Sequence, residues 1–180
     1  TLPYQQCLDE MRDFTLARTE ETTDEIWLVG HPAVYSQGLA GKPEHILSAN
    51  TSIPIVQSDR GGQVTYHGPG QLILYPLLNI KRLNINIKQL VRKLEHTIIA
   101  LLKEIGIEAN SNDKAPGVYV GDKKIASVGL RIKKGCCYHG IALNVAMSLQ
   151  PFNNINPCGY KGLKMCQIID FKPEITLQDV

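Results

Sequence analysis

The sequence predicts an α+β protein. Two segments carry apolar residues at helical spacing, one near the N-terminus and one in the middle of the chain. The stretches between and after them are short, rich in β-branched and aromatic residues, and bounded by glycine or proline, as strands are. With 180 residues, 43% of them hydrophobic, the chain is long enough for one core, and we expect residues 1–180 to form one domain.

The N-terminal third predicts one helix and three extended segments. Apolar residues from Tyr4 to Phe14 recur at helical spacing with polar residues between them, and Cys7 falls on the apolar face. Residues 39–52 show no regular pattern and are predicted to form a loop. The extended segments are predicted at residues 25–29, 32–35 and 53–56.

A glycine-rich block follows, with the sequence Arg60-Gly61-Gly62-Gln63-Val64-Thr65-Tyr66-His67-Gly68-Pro69-Gly70-Gln71. It predicts two strands, at residues 63–66 and 71–78, joined by a turn. Glycine pairs allow a ligand to approach the backbone closely, although two tight turns without a ligand give the same pattern. The block lacks the spacing of a Walker A loop and the third glycine of a dinucleotide fingerprint, so a nucleotide-phosphate site is not predicted.

The second half of the chain predicts a long helix followed by an antiparallel meander. Apolar residues form a stripe over residues 87–105, Gly106 ends the helix, and His96 lies off the stripe and is assigned to the surface. The dipeptide Gly121-Asp122 predicts a tight hairpin turn. The predicted strands of the meander are residues 117–120, 123–132 and 139–145.

Composition and charge argue against several classes of protein. A net charge of +2 and a pI near 8.2 are too mild to indicate a nucleic-acid-binding surface. Five cysteines without regular spacing indicate neither a disulfide framework nor a zinc site, which fits a reducing compartment. No apolar run approaches the ~20 residues that span a bilayer. We therefore expect a cytoplasmic protein that binds neither nucleic acid nor membrane, although a chain that begins at Thr1 leaves a trimmed targeting segment open.

Cys158 and Lys124 are the residues with candidate chemistry. Cys158 lies between Pro157 and Gly159, which favour a turn that can expose a thiol, but a free cysteine is also commonly a small buried hydrophobe. Lys124 begins an otherwise apolar strand, where its side chain either points inward or lies at the hairpin end in water. A reactive thiolate needs a cation, a base or backbone dipoles beside it, so the pattern leaves both alternatives open for each residue.

Five motifs, in order, resemble those of the octanoyltransferases of lipoate biosynthesis. They are the glycine-rich block 60–71, Ala115-Pro116-Gly117-Val118-Tyr119, Lys124-Ile125-Ala126 with Gly129-Leu130-Arg131, His139-Gly140 with Leu143-Asn144, and Asn156-Pro157-Cys158-Gly159. The resemblance runs across most of the chain and implies a mixed β-sheet core with packed helices, the fold shared with biotin and lipoate protein ligases. Family members commonly continue beyond the position of Val180, which leaves the part played by a C-terminal tail open.

The same resemblance implies an activity, substrates and roles for individual residues. It implies transfer of an octanoyl group from octanoyl-acyl carrier protein to a specific lysine of a lipoyl domain, through a thioester on Cys158 that Lys124 activates. The implied acceptors are lipoyl domains of 2-oxoacid dehydrogenase complexes and the glycine cleavage H protein. No ATP, metal or other cofactor is implied, because the donor thioester is already activated. The predicted substrate-binding residues are Arg60, Gly61, Gly62, Gln63, Val64, Thr65, Tyr66, His67, Ser127, Val128, Gly129, Gly140, Ile141 and Ala142.

An apolar slot is expected to select the length of the acyl chain. We predict that strand residues 72–78 wall this slot together with Ala126 and Ala142. Because each buried methylene contributes only about 0.8 kcal/mol, a closed end should discriminate between chain lengths more sharply than gradual burial does. Nearby basic residues such as Lys161 and Lys164 are expected to steer an acidic carrier protein toward the site.

Three other functions fit parts of the sequence. An ATP-dependent lipoate or biotin ligase would use the same broad fold without a catalytic cysteine. A catalytically silent acyl-binding or carrier-binding module would use the glycine loops while Cys158 packs in the interior. A cysteine hydrolase would use His67 or His139 as its base. Dependence on ATP, reactivity of the thiol and release of free octanoate distinguish these functions from the transferase.

Overall fold

The computed structural model describes residues 1–48 and 52–180, so residues 49–51 of the predicted loop lie outside it. Within that range the chain forms two α-helices, α1 (Tyr4–Ala17) and α2 (Ile87–Glu104). The strands are β1 (Glu25–Val29), β2 (Val34–Gln37), β3 (Ile55–Gln57), β4 (Val64–His67), β5 (Gln71–Leu77), β6 (Asn110–Ser111), β7 (Gly117–Val120), β8 (Lys123–Lys133) and β9 (Cys136–Asn144). Short 3-10 helices cover Pro43–His45, Gln150–Asn154, Pro157–Gly159 and Ile168–Asp170.

The strands form two sheets. The larger sheet has six strands in the order β1-β5-β9-β8-β7-β6, and each neighbouring pair is antiparallel. The smaller sheet has the order β3-β2-β4, with β2 parallel to β3 and antiparallel to β4. The predicted α+β fold with mixed strand pairing is therefore confirmed, and the parallel pairing lies in the smaller sheet.

The two helices cover opposite faces of the larger sheet. Helix α2 begins with a capping box between Asn86 and Gln89 and packs its apolar stripe on one face, where it forms the largest core cluster with β8 and β9. Helix α1 packs Cys7 and Met11 on the other face, against β5 and β9. Both helix predictions are confirmed, as are the buried position of Cys7 and the exposed position of His96.

The predicted meander is present, with one boundary wrong. β7, β8 and β9 are neighbours in that order, and β7 meets β8 at the predicted hairpin. Strand β9 begins at Cys136 rather than at residue 139, because Lys134 and Gly135 both have positive φ and form a second two-residue turn. Lys134 is a lysine in a position that favours asparagine or glycine, so the sequence carried a weak signal for it.

The strand predicted at residues 53–56 is displaced by about two residues, to Ile55–Gln57, and the extended segment at 32–35 becomes a strand at Val34–Gln37. Among the described residues, no helix has both the length and the apolar character needed to cross a membrane.

Candidate active site

Cys158 lies on a left-handed turn. Its φ of 57° and ψ of 16° are unusual for a residue other than glycine, and Gly159 continues the turn with a φ of 81°. The Gly159 N–H donates to the Asn156 carbonyl oxygen over 2.9 Å, and the Tyr160 N–H donates to the Pro157 carbonyl oxygen over 3.1 Å. Such a backbone costs about 1–3 kcal/mol and persists where the surroundings enforce it. The side chain of Cys158 is partly exposed, whereas the other four cysteines are buried.

The segment that contains His45 holds the Cys158 turn in place through hydrogen bonds to Asn156. The Asn156 N–H donates to the His45 carbonyl oxygen over 2.8 Å, and Asn156 Nδ2 lies 3.4 Å from His45 Nδ1. A Cβ at Gly159 would lie 2.8 Å from Cγ of Gln63 and 3.4 Å from Nε2 of His45, so the close approach requires glycine. His45 was not predicted as a site residue because it lies in a segment without periodicity.

Lys124 is buried and reaches the thiol. Its side chain is 1% exposed, and Nζ lies 3.4 Å from Cys158 Sγ. The Nζ group also donates to the Pro116 carbonyl oxygen over 2.9 Å and lies 5.3 Å from the centre of the Tyr119 ring. The Lys124 side chain therefore points inward and not into water. Its amine has the Pro116 carbonyl oxygen and the Cys158 sulfur as partners.

A β-bulge places Lys124 on the side of the sheet that carries Cys158. Tyr119 pairs with Lys124 and Val118 pairs with Ala126, so Ile125 is an extra residue in β8. In a regular strand Lys124 and Ser127, three positions apart, would point to opposite faces. Because of the bulge, Ile125 and Ala126 both join the core under α2, while Lys124 reaches Cys158, which lines the same cavity as Ser127.

Gly117 leaves the space that the Lys124 side chain occupies. Its φ is 140°, and a Cβ there would lie 2.6 Å from both Lys124 Cε and the Ala126 carbonyl oxygen. The Gly117 N–H donates over 2.6 Å to Oε1 of Glu95, a carboxylate that is only 4% exposed. Glu95 was not predicted as a site residue, although a carboxylate inside the apolar stripe of α2, between Val91 and Ile98, was a usable signal.

Electrostatics keeps the Lys124 amine charged. Burial by itself lowers the pKa of Lys124, but electrostatic attraction to Cys158 and Tyr119 outweighs burial and raises the pKa above its ordinary value. A raised pKa favours the ammonium form of Lys124.

An apolar cavity of about 400 Å³, including its open mouth, leads away from Cys158 between the two sheets and α1. Nine of the predicted binding residues line it: Arg60, Thr65, His67, Ser127, Val128, Gly129, Gly140, Ile141 and Ala142. Ile73 and Tyr75, from the predicted 72–78 wall, also line it, as do Tyr4 and His139, which were not predicted as lining residues. Gly129 and Gly140 pair across β8 and β9, so no side chain from that pair narrows the cavity.

Five of the predicted binding residues lie outside the lining of the cavity. Val64 and Tyr66 pack in the core between the smaller sheet and the segment 150–155, because residues alternate between the two faces of β4. The Gly61 N–H donates to the Leu130 carbonyl oxygen over 2.9 Å, which holds the loop to the edge of β8. Gln63 Oε1 accepts from the Lys42 N–H over 3.1 Å. Gly62, with a φ of 87°, shapes the same loop.

Part of the predicted acyl slot is wrong. Ala126 belongs to the core under α2, since the bulge in β8 turns it to that face. Leu72, Leu74 and Leu78 pack against the same core and not into the cavity.

The two buried histidines of the cavity are engaged away from the thiol. His67 is hydrogen-bonded to Ser36 and Gln71, and His139 Nε2 donates to Asp59 Oδ1 over 2.8 Å. Burial lowers the pKa of His67 to about 3, so its imidazole is neutral. Burial also lowers the pKa of His139. Within residues 1–48 and 52–180 neither histidine is hydrogen-bonded to Cys158, which argues against a histidine-based hydrolase.

Asp59 anchors His139 at the wall of the cavity. Its carboxylate accepts hydrogen bonds from His139, from the Tyr138 hydroxyl over 2.6 Å and from Arg12 Nε over 3.1 Å. Burial opposes ionisation, but these three donors lower the pKa of Asp59 well below its usual range. The carboxylate is therefore charged, and the proton of the His139 imidazole lies on Nε2. Across the described part of the chain, no group of three His, Cys, Asp or Glu side chains is arranged to hold a metal ion.

The sequence matches a model of the lipoyl protein ligase A/B catalytic domain over residues 4–180. The chain belongs to this family. Curated proteins named octanoyltransferase are similar to this chain over nearly the whole of its length. That of Klebsiella pneumoniae (strain 342) is 56% identical over 99% of this chain and 83% of its own length. That of Dechloromonas aromatica (strain RCB) is 57% identical over 98% of this chain and 85% of its own length. The predicted resemblance is therefore confirmed.

Solved structures show the fold of this lipoyl ligase A/B family member. A lipoate-protein ligase A bound with ATP superposes with a TM-score of 0.79 at 14% identity, covering 99% of this chain and 77% of that one. A bipartite lipoate protein ligase from Thermoplasma acidophilum gives a TM-score of 0.77 at 14% identity, covering 99% of this chain and 75% of that one. The predicted biotin/lipoate ligase-like fold is confirmed, and at these identities the likeness concerns the fold alone.

Proposed function

We propose that this chain transfers an octanoyl group from octanoyl-acyl carrier protein to a lysine of a lipoyl domain, through a thioester on Cys158. The activity follows the octanoyltransferase name carried by relatives that are about 56% identical over nearly the whole chain. The observation that carries the mechanism is the distance of 3.4 Å between Lys124 Nζ and Cys158 Sγ at the mouth of an apolar cavity.

The first half-reaction loads the enzyme. The Cys158 thiolate attacks the carbonyl carbon of the donor thioester, and the tetrahedral intermediate collapses with cleavage of the bond to the phosphopantetheine sulfur. The Lys124 ammonium gives its proton to the departing sulfur, which leaves as a thiol. Backbone N–H groups of the glycine-bearing segments beside the cavity stabilise the oxyanion. The octanoyl chain occupies the cavity lined by Ile73, Ile141 and Ala142.

The second half-reaction transfers the octanoyl group from Cys158 to the acceptor lysine. The amine of the acceptor lysine attacks octanoyl-Cys158, an amide bond forms and the thiolate leaves. Lys124, neutral after the first step, takes the proton that the acceptor nitrogen loses. One lysine thus acts first as an acid and then as a base, and the pair returns to its starting charge. No ATP enters either step, because the energy of the donor thioester is kept in the acyl-enzyme.

The partners, the site of action and the extent of the domain belong to the same proposal. The donor is octanoyl-acyl carrier protein, and the acceptors are lipoyl domains of 2-oxoacid dehydrogenase complexes and the glycine cleavage H protein, in the cytoplasm. The remaining residues of the loop 60–67 support the cavity from outside. Residues 1–180 act as one catalytic domain, which the family match over residues 4–180 supports.

The experiment is intact-mass analysis after incubation with octanoyl-acyl carrier protein. We expect one octanoyl adduct that hydroxylamine removes, and no hydroxylamine-sensitive adduct in a Cys158→Ala variant. Addition of a lipoyl-domain acceptor should discharge the adduct and acylate the acceptor without ATP. Strict dependence on ATP and free octanoate would identify a ligase instead. Release of free octanoate without an acceptor would identify a hydrolase, and binding without an adduct would identify a silent module.

A further inference from the structure

Both the oxygen and the nitrogen of the Asn144 amide are hydrogen-bonded, and within the described residues neither is bonded to Lys124 or Cys158. It is the last residue of β9 and is 1% exposed. Its Nδ2 donates to the Cys166 carbonyl oxygen over 2.9 Å, and its Oδ1 accepts from Gln71 Nε2 over 2.9 Å. Gln71 is 2% exposed and pairs with Asn144 across β5 and β9. Neither amide lines the acyl cavity.

The Cys166 peptide connects Asn144 to Lys124. The Cys166 N–H donates to the Lys124 carbonyl oxygen over 3.0 Å, and the Lys124 N–H donates to the Lys164 carbonyl oxygen over 2.9 Å. Lys124 and Met165 thereby form an isolated parallel bridge. The segment 164–166 therefore clamps the backbone of Lys124 at the bulge, where a small displacement would move Nζ relative to Cys158.

The far end of the network fixes the orientation of both amides. Arg60 donates to Ser36 Oγ over 3.0 Å and 3.1 Å, so the Ser36 hydroxyl is free to donate to His67 Nε2 over 3.1 Å. His67 then donates from Nδ1 to Gln71 Oε1 over 2.8 Å. With its oxygen so engaged, Gln71 presents its NH2 group to Asn144, and Asn144 presents its own NH2 group to the Cys166 peptide. These side-chain hydrogen bonds all point the same way, from Arg60 at the cavity wall to the Lys124 clamp, and Gln71 Nε2 donates in addition to the Tyr66 carbonyl oxygen over 3.4 Å.

We infer that Asn144 is a positioning residue for the transfer reaction: it holds the Cys166 peptide, and through it Lys124, where Nζ meets Cys158 Sγ. Gln71 orients Asn144, and Arg60 and His67 at the cavity wall orient Gln71. The inference rests on the proposed pairing of Lys124 with Cys158. It also gives a reason for a glutamine and an asparagine in an otherwise apolar sheet interior, where each must satisfy its whole amide.

The test follows the rate of Cys158 alkylation by iodoacetamide against pH, with peptide mapping to confirm the modified residue. The titratable groups that face Lys124 Nζ are Cys158 on its turn and Tyr119 on β7, so Lys124→Ala supplies the profile expected when the ammonium is lost. Asn144→Leu keeps the volume of the side chain and removes its hydrogen bonds. Gln71→Met is the second variant, which removes the orienting partner and leaves Asn144 in place.

Gln167→Met is the matched control. Gln167 is also a buried amide and directly follows the clamp segment 164–166, but its Oε1 accepts from the Met147 N–H over 2.7 Å, so the variant leaves the hydrogen bond between Asn144 and the Cys166 carbonyl oxygen in place. The free energy of unfolding of each variant is measured by urea denaturation, so that variants of equal stability are compared.

We expect Asn144→Leu to lower the alkylation rate at pH 7 at least threefold and to move its profile toward higher pH, as Lys124→Ala does, with a smaller shift in Gln71→Met. A wild-type profile in Asn144→Leu, or in Gln71→Met if the first variant does not fold, would overturn the inference while leaving the Lys124–Cys158 pair intact. An equal shift of the alkylation profile in Gln167→Met, at equal stability, would also overturn the inference. It would mean that loss of any buried amide in this region loosens the site. A wild-type profile in Lys124→Ala would overturn both the inference and the proposed role of Lys124.

Discussion

Lys124 Nζ lies 3.4 Å from Cys158 Sγ, although the two residues belong to separate elements of the fold. The lysine is brought to this position by a bulge in β8 and by the absence of a side chain at Gly117. The cysteine is brought there by a left-handed turn that His45 and Asn156 anchor. Because both sides are fixed before substrate arrives, little reorganisation is required at the moment of reaction.

Removal of either partner should abolish most of the transfer activity. Cys158→Ser and Lys124→Ala are each expected to lower the rate of acyl transfer at least 100-fold, since a positioned acid–base group contributes about 10²–10⁴-fold. Single-turnover loading with octanoyl-acyl carrier protein, followed by mass spectrometry, measures the effect. Lys123→Ala is the control, because Lys123 is the exposed neighbour on the same strand. Loading at the wild-type rate in Lys124→Ala would refute the role assigned to that lysine.

A methyl group at Gly117 should displace the Lys124 amine. The Cβ of Gly117→Ala would lie 2.6 Å from Lys124 Cε and from the Ala126 carbonyl oxygen, which is tighter than real contacts allow. We expect a fall of more than tenfold in kcat. Gly121→Ala is the matched control, because Gly121 also has a positive φ but its Cβ would have no heavy atom within 4 Å. Steady-state kinetics at equal folded fraction separates the two, and an equal loss in both would assign the effect to backbone strain.

Much of the fold followed from the sequence because periodicity and turn chemistry are local. The stripe of α2, the stop at Gly106 and the hairpin at Gly121-Asp122 each depend on neighbouring residues, and all three were found correctly. The start of β9 was missed because Lys134 occupies a turn position that asparagine or glycine usually holds.

The site was harder to predict, since its geometry depends on contacts between distant segments. The alternation of β8 could not place Lys124 and Ala126 correctly, because the bulge at Ile125 leaves no signal in residue type. Motifs identified Cys158 and Lys124 as a pair and contained Gln71 and Asn144 without assigning them a role. The roles of Asp59, Glu95 and the Gln71–Asn144 pair follow from their buried hydrogen bonds. A charged or amide residue within an apolar pattern was the available signal.

Enlargement of the cavity should relax the choice of acyl chain. Ile73 lines the cavity, so Ile73→Ala should admit decanoyl groups and raise the decanoyl-to-octanoyl ratio of kcat/KM about tenfold, at about 0.8 kcal/mol per added methylene. Leu72→Ala is the control. It removes a similar volume, but from the opposite face of the larger sheet, under α2. Competition between the two acyl-carrier donors in one reaction measures the ratio. A shift of the same size in Leu72→Ala would contradict the assignment of the cavity as the acyl site.

Buried neutral His67 should make the protein less stable in acid. Burial holds the pKa of folded His67 at about 3, below the ordinary 6.5, so between these values the unfolded chain binds a proton that the folded chain does not. Stability is therefore unaffected above pH 6.5 and falls as the pH drops toward 3, by at most about 5 kcal/mol from this residue. Between pH 4.5 and 6.5 the free energy of unfolding, measured with urea, should rise with pH. In His67→Gln the slope of this rise should fall by the equivalent of about one bound proton. His96→Gln, on the surface of α2, should leave the slope unchanged; an unchanged slope in His67→Gln would mean that folded His67 titrates normally.

The lysines that follow the Cys158 turn should speed capture of the acidic donor. Lys161 and Lys164 are exposed within six residues of the nucleophile, so a negatively charged carrier protein that delivers its thioester to Cys158 passes close to them. We expect Lys161→Glu with Lys164→Glu to lower kcat/KM for octanoyl-acyl carrier protein at least tenfold at low ionic strength, and the loss to shrink with added salt, because screening weakens steering.

The control for this double variant has the same change in charge elsewhere. Lys93→Glu with Lys103→Glu lies on exposed positions of α2, and a long-range effect of net charge alone would slow both double variants equally. Loading from a small octanoyl thioester without a carrier protein should proceed at the wild-type rate in both, because Cys158 and Lys124 are unchanged. Donor kinetics that do not respond to salt would mean that Lys161 and Lys164 do not steer the carrier. Equal losses in the two double variants would assign the effect to net charge alone. A fall in kcat/KM that occurs only in Lys161→Glu with Lys164→Glu, and only with the carrier-bound donor, would place the path of the carrier protein over the loop between Cys158 and Lys164. This loop leads into the Lys124 clamp.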